Sequence, residues 1–446
     1  MIRKQPTTRS LVKPMRFVVL AVFLLAMTNG CWQSALPQQV TRTRSAVVSG
    51  PSMEPSFSGQ TARATCHHCQ FTFVASTIDN DNSIDTLKDK RLVCPNCGTS
   101  SDNHAVVAAP AQQVEVLLGS TPRRWSVVAF RKDPDGNTQT DQDEIGIKRI
   151  VGLPSERISF HRGNLYKQDS NGTSGQPARK LIRKTLSVQR AMAILVHDSK
   201  YSNQSDRWQE YDQPFDWLNE STTVTWNSFQ PFLGYQSTNT QQEANGIEDF
   251  YSVNRGLSRQ LHQMDELLVT VELADAESGT LGFQVNLRGR MYGIAVQLDS
   301  REVQFFDGRT GEIKSQWDID WPVADPGEKL LAEFSSIDHQ VVLAINGKEI
   351  WTERVVPGDG PVSKEPIQLG WSGEKSNLHR IRLFRDVYYF SGPLKLNRSG
   401  ELQEMVLETG NGYLMLGDNV PVSFDSRQWQ TPSVPASNIL GSVQKK

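Results

Sequence analysis

The stretch "VVSGPSMEPSF", residues 47–57, poses the first chemical question. Ser52 stands between Pro51 and Met53, with Glu54 as its polar neighbour. No G-x-S-x-G elbow surrounds it and no histidine partner is evident. Taken alone, it reads as a turn serine in a Pro/Gly-rich linker. A base for it appears elsewhere. "IGIKRIVGLPSERI", Ile145 to Ile158, is an apolar strand interrupted by Lys148 and Arg149 before a Gly/Pro turn. An ammonium buried in such a strand loses hydration, and desolvation can lower a lysine pKa by several units. A neutral lysine is a competent base, and Ser-Lys dyads activate a nucleophile without histidine. A third stretch, "YLMLGDNVPVSFDSRQW", carries an apolar strand into a polar loop holding Asp418, Ser423, Asp425 and Arg427.

A second chemistry lies in "CHHC" and "CPNCG", which hold Cys66, Cys69, Cys94 and Cys97. Two C-x-x-C pairs at zinc-ribbon separation suit one tetrahedral thiolate site, each pair forming a knuckle. Four protein ligands would close the shell and leave no position for water, so the zinc would be structural. Two disulfides are the alternative, which an exported location permits. Gly98 relaxes the turn after the second knuckle, whereas Gln70 takes the equivalent place after the first. His67 and His68 read as solvent-facing knuckle residues rather than ligands.

These residues must be positioned by a chain of 446 residues, long enough for two or three domains. Lys+Arg 47 against Asp+Glu 49 gives no global case for nucleic acid as a partner. The charge is uneven, however. Arg3, Lys4, Arg9, Lys13 and Arg16 precede the apolar run "FVVLAVFLLAM", and no acidic residue comes before Glu54. Extended to Leu36, the run is long enough to cross a bilayer, and the basic flank puts the N-terminus in the cytoplasm. Residues 1–16 are therefore expected as a cytoplasmic segment and 17–36 as an uncleaved signal anchor. Everything after it would face the far side of the membrane.

Downstream, residues 197–261 read as a polar connecting region, rich in Asn, Gln and Ser but seeded with Trp208, Trp217 and Trp226. From Leu267 the pattern becomes period-two. "LLVTVEL", "LGFQVNL", "IAVQL", "VVLAI" and "IRLF" each read as a strand with one buried face. Asn346-Gly347 is a two-residue hairpin signal and Asp307-Gly308 marks another turn. About nine short strands over residues 262–388 predict a β-sandwich of jelly-roll, concanavalin A-like pattern. Trp317, Trp321, Trp351 and Trp371 read as core or rim packing. The ligand of such a sandwich is not legible.

With these stretches in hand, the chain resembles the type I signal peptidases, the Ser-Lys family of bacterial leader peptidases. "SGPSMEPSF" is similar to the family's serine box, "RRWSVVAF" to the motif that follows it, "KRIVGLPSE" to its lysine box and "GDNVPVSFDSR" to its last box. The resemblance implies that Ser52 is the nucleophile and Lys148 the general base, with Ser423 hydrogen-bonded to the lysine amine. It implies ion pairs of Asp418 with Arg149 and of Asp425 with Arg427. It assigns substrate contacts to Val48, Met53, Phe57 and Ile147 in apolar pockets for small side chains. Gly50 also falls in the substrate-binding stretch, and it stands where some members carry a serine that donates to the oxyanion. Stabilisation would then rest on backbone N–H groups, chiefly that of Ser52. Val420-Pro421-Val422 and Ser155 are further departures from the family pattern.

The expected fold is mainly β: a signal-peptidase-type catalytic domain in two parts, 45–196 and 389–446, after an N-terminal transmembrane helix. A zinc-ribbon insert would occupy 62–102 and the jelly-roll sandwich 262–388, an enlargement of the kind found in planctomycete bacteria. The implied activity is a membrane-anchored serine endopeptidase that removes signal peptides at small-x-small sites. Its partners would be signal-peptide-bearing precursors and the lipid bilayer. Its place would be the bacterial inner membrane with the catalytic domain outside the cytoplasm. No cofactor is expected for catalysis. The alternative is a catalytically weak relative acting as a partner-binding envelope protein through a lectin-like sandwich.

Overall fold

Alternating apolar and polar residues dominate the chain after Arg42, and strands form where that alternation is strongest. The computed structural model describes residues 42–77, 84–88, 91–131, 145–169, 178–201, 208–214, 223–229, 246–254, 257–274, 278–319, 329–372, 378–390 and 405–446. The expected anchor, 17–36, lies outside the described residues. Among these, no helix is long and apolar enough to cross a membrane.

The unit from Thr43 to Lys446 is mainly β. One seven-stranded antiparallel sheet runs in the order Thr43–Val47, Gln113–Leu118, Ile439–Lys445, Val127–Arg131, Ile145–Gly152, Gly412–Leu416, Ser433–Pro435. It joins chain segments that are some 300 residues apart: Leu416 pairs with Arg149, and Val443 with Val116. A four-stranded sheet, Ala178–Leu181, Asn164–Asp169, Arg157–His161 and Val406–Glu408, packs against it. Ile158, Phe160, Leu165 and Leu407 of the small sheet share one apolar core with Val151, Leu414 and Leu416 of the large one.

The sandwich has a six-stranded and a seven-stranded antiparallel sheet. Leu267, Val269, Val271 and Leu273 all enter its core, as their spacing predicts, and Phe283 stacks on Phe334 at 5.1 Å between the sheets. Trp371 is buried in that core, while Trp317 and Trp351 pack against it with ring centroids 5.1 Å apart. Asn346-Gly347 makes a two-residue turn with φ of 49° and 81°, joining Ile345 to its partner Lys348.

The sheets begin well before residue 262. Ile194–Asp198 joins the six-stranded sheet, and Trp208–Pro214 and Thr223–Phe229 join the seven-stranded one. Trp208–Pro214 is an edge strand, and edges tolerate the polar sequence that made this region look like a connector. Ile194 pairs directly with Arg385, so the chain leaves the core of the first seven-stranded sheet and returns to it at neighbouring residues.

Candidate active site

After Thr43–Val47 the chain turns sharply, and Ser52 rides on that turn. Phe57 N donates to Met53 O at 2.9 Å and Glu54 N to Pro51 O at 3.1 Å, which fixes the turn internally. Met53 and Phe57 anchor it from below, in an apolar cluster with Val48, Val114, Val116 and Val127. From the other side, Asn419 holds it by two bonds. Its backbone N donates to Ser52 O and its Nδ2 to Pro51 O, both at 3.1 Å.

Lys148 is 6 % exposed, and its Nζ donates to Ser423 Oγ at 2.9 Å. A hydroxyl can accept from an ammonium and donate to an amine, so Ser423 can serve the lysine in either protonation state. Ser52 and Lys148 together line a cleft of about 690 Å³. Gly417 lies between the two serines: a Cβ there would meet Ser423 Oγ at 2.2 Å and Ser52 O at 2.4 Å. Only a glycine lets these chain segments approach so closely.

Two buried ion pairs hold the loop after Gly412–Leu416. Arg149 donates to Asp418 through Nε at 2.7 Å and Nη2 at 2.6 Å, and through Nη1 to Trp125 O at 2.7 Å. Burial opposes the Arg149 charge, but the Asp418 carboxylate outweighs it and leaves the pKa above its ordinary value. Arg427 donates to Asp425 through Nε at 2.8 Å and Nη2 at 2.9 Å, and also to Val420 O and Phe390 O. Asp425 Oδ2 in turn accepts from Gly417 N at 3.0 Å. Paired this way, neither charge is left uncompensated in the interior.

Val48 and Ile147 line the cleft, joined by Val422, Phe424, Trp429 and Leu440. Met53 and Phe57 are buried beneath it rather than on its wall. Gly50 takes φ +78° with open space where a Cβ would sit, so the turn's backbone conformation, not crowding, favours glycine here. Sequence reasoning gave no role to Asn419 or Gly417, although both stand in the quoted "GDN" box. It missed Tyr251 and Asn254 altogether. Tyr251 Oη donates to Asp418 O at 2.8 Å, and Asn254 Nδ2 donates to Asn419 Oδ1 at 2.6 Å. Glu54, two residues from Ser52, is 2 % exposed, and burial pushes its carboxyl above the usual range.

The four cysteines form a separate centre. Thr61–Thr65 pairs with Thr72–Thr77 and Ala105–Ala109, and Leu92–Val93 with Ser100–Ser101, which brings the two knuckles face to face. In each knuckle the backbone folds back on its first cysteine: Gln70 N donates to Cys66 O and Gly98 N to Cys94 O, both at 2.9 Å. Gln70 adopts φ 62° where Gly98 has 74°, and its Nε2 donates to His67 O at 3.0 Å. His67 and His68 are exposed.

All four cysteines are free, and Cys66–Cys97 and Cys69–Cys94 sulfurs lie 3.6 Å apart. The four sulfurs fall within 4.8 Å of one another and could hold a metal ion. Tetrahedral Zn–S bonds of about 2.3 Å would space the sulfurs by about 3.8 Å, which this cluster nearly matches. Asn96 of the second knuckle docks the module onto the sandwich strand Ile194–Asp198, its Oδ1 accepting from Asp198 N at 2.6 Å.

Comparison with known proteins adds the following. Residues 41–213 match the family model described as signal peptidase, peptidase S26. That span contains Ser52 and Lys148 and ends before Ser423. No curated protein matches the chain significantly. Among solved structures, a Caenorhabditis elegans galectin is similar at 14 % identity and TM-score 0.21, over 26 % of this chain and 81 % of that one. A sheep galectin is similar at 10 % identity and TM-score 0.20, over 26 % and 89 %. The CBM40 module of a Ruminococcus gnavus sialidase is similar at 14 % identity and TM-score 0.21, over 28 % and 77 %. Likeness this slight carries no argument, and the peptidase family match is the one that bears on chemistry.

Proposed function

We propose that the protein is a membrane-anchored Ser-Lys endopeptidase that cleaves signal peptides from exported precursors at small-x-small sites. The observation that carries this reading is Lys148 Nζ at 2.9 Å from Ser423 Oγ, buried in a cleft that Ser52 also lines. The match to the signal peptidase family supports it. In this reading the neutral Lys148 amine takes the Ser52 proton as Oγ attacks the scissile carbonyl, and the ammonium then protonates the leaving amine. Ser423 keeps the lysine oriented through both steps. The apolar wall of Val48 and Ile147 accepts the small residues before the cut. A signal anchor at 17–36 would tether the cleft to the extracytoplasmic face of the inner membrane, where cleavage sites emerge.

Zinc is the metal we assign to the four cysteines. Four thiolates fill a tetrahedral shell, so the ion would brace the module rather than supply a nucleophile. The test of the peptidase reading is cleavage of a precursor bearing an A-x-A site by detergent-solubilised protein. Ser52→Ala and Lys148→Ala should each abolish it with the fold intact, and wild-type activity should rise with pH as Lys148 loses its proton. Near-normal turnover by Lys148→Ala would overturn the assignment.

A further inference from the structure

Three two-residue hairpin turns converge on a second cavity, far in sequence from the serine box. Arg162-Gly163 closes the turn between His161 and Asn164, and Arg288-Gly289 the turn between Leu287 and Arg290. Asp338-His339 closes the third, where Gln340 N donates to Ile337 O at 3.3 Å. All six central residues have positive φ: 48° and 86°, 53° and 87°, 57° and 52°. Such turns favour Asn, Asp and Gly, which enter the left-handed region at least cost. Asn346-Gly347 in the same sandwich follows that preference. Arg162, Arg288 and His339 do not, and all three line the one cavity. Non-glycine residues held in this region gather where function requires them.

The cavity measures about 220 Å³ and sits between the catalytic core's hairpin and the sandwich. That is below the roughly 300–1,000 Å³ of sites for drug-sized molecules, so its occupant is small. Its wall is polar. Arg288 is tied to Asp265 at 3.0 Å, whereas Arg162 lies exposed at the rim. Asn164, only 4 % exposed, donates through Nδ2 to Glu266 Oε1 at 2.7 Å, and its Oδ1 has no protein partner. An orphaned acceptor on a cavity wall calls for a donor from the occupant. His339 is pushed down to about 4, first by burial and then by Arg183, Arg288, His161 and Arg162. Burial leads that shift, and the lining sets Asp265, Glu266 and Asp359 beside Arg162 and Arg288, with Arg288 already engaged by Asp265.

We propose that this cavity binds a small hydroxylated molecule carrying an oxyanion, a carboxylate or phosphate monoester on a sugar-sized body. Arg162 grips the oxyanion with its planar fork, and a ligand hydroxyl donates to Asn164 Oδ1. The site lies outside the peptidase cleft, and its readout is binding, so it stands or falls independently of the cleavage chemistry.

Isothermal titration of the full-length, detergent-solubilised protein tests it, with glucuronate and glucose 6-phosphate as probes and glucose and inorganic phosphate beside them. One or both acidic sugars should bind, and whichever does identifies the oxyanion. Arg162→Asn removes the guanidinium while suiting the left-handed turn, so the fold should hold or gain stability. It should weaken binding by roughly tenfold or more. The proposal is overturned if neither acidic sugar binds, if glucose or phosphate alone binds as tightly, or if folded Arg162→Asn keeps full affinity.

Discussion

Gly417→Ala is the perturbation that most directly tests the geometry of the cleft. An added Cβ would sit 2.2 Å from Ser423 Oγ, 2.4 Å from Ser52 O and 2.6 Å from Ser423 Cβ. Carbon contacts relax only near about 3.5 Å, so roughly 1 Å of displacement must be shared between the two serines. Neither can move freely. The Ser52 carbonyl is held by Asn419 N, and Ser423 N donates to Asn419 O at 3.1 Å. Overpacking of this kind costs about 1–3 kcal/mol of stability. The catalytic effect should be larger, because a displacement near 1 Å can cost about a hundredfold in rate. The assay is steady-state cleavage of an A-x-A peptide, with kcat and KM resolved and thermal unfolding measured alongside. The expected result is a folded enzyme with KM nearly unchanged and kcat down about a hundredfold. A kcat within about threefold of wild type would refute the claim that Gly417 sets the spacing of Ser52 and Ser423.

Three further outcomes follow from particular residues. Gly50→Ser would restore a hydroxyl two residues before Ser52, but at φ +78° a side chain costs about 1–2 kcal/mol, so Tm should fall and kcat should not rise; a clear gain in kcat would show the serine to be compatible with this turn. For Glu54, burial raises the folded-state pKa, so the folded protein keeps a proton that the unfolded chain has released. Folding is then penalised increasingly as pH rises above the unfolded value, and Glu54→Gln should raise Tm at about pH 8 but not at about pH 4; equal shifts at both would contradict the burial argument. Purified protein should hold one zinc per chain, and chelation should loosen residues 61–109 in hydrogen exchange while the A-x-A peptide is still cut; two disulfides found by mass mapping with no zinc would reject the site.

The residues proposed for catalysis were legible because each lies in a short contiguous stretch whose chemistry is odd for its surroundings. A lysine in "IGIKRIVG" and a serine in "SGPSMEPSF" declare themselves locally. The contacts that hold them were not legible, since they are made across the fold. Asn419 grips a turn 367 residues upstream through backbone carbonyls, which any sequence would offer. Tyr251 and Asn254 stand in a stretch without periodicity, 167 and 165 residues from the groups they bind. Met53 and Phe57 were read as pocket walls because the serine box resembles a familiar one, yet the turn carries them under the sheet. The sandwich core was plain from alternation, whereas Trp208–Pro214, at a sheet edge, was hidden by its polar composition. Gln70 shows the converse: a departure from the glycine of the second knuckle is accommodated by a left-handed residue bonded to His67 O.

The insertion is therefore more than an appendage on the sheet that carries Lys148. Residues 246–254 belong to it in sequence, yet Tyr251 and Asn254 brace the loop that carries Asp418 and Asn419. Tyr251 lies under the Arg385 guanidinium at 4.7 Å, and Arg385 donates to Phe250 O and Asp386 O. Next to it, Lys184 is buried with its Nζ 2.6 Å from Asp338 Oδ1 and 3.0 Å from Asp386 Oδ2. Glu266 completes the cluster, its carboxyl raised well above the usual range by burial and by those two neighbouring acids. One ammonium cannot balance three buried carboxylates, and burial raises Asp338 too, to about 6, so the cluster retains a proton, with Glu266 the most strongly raised. Lys184 also sits over the Trp125 ring at 5.1 Å, and Trp125 O accepts from Arg149, the partner of Asp418. The same few side chains thus close the junction of the sandwich and support the loop behind Ser52. An insertion joined to the core only by two chain crossings would be free to rock against it, whereas the buried contacts of Lys184 with Asp338 and Asp386 tie the junction together.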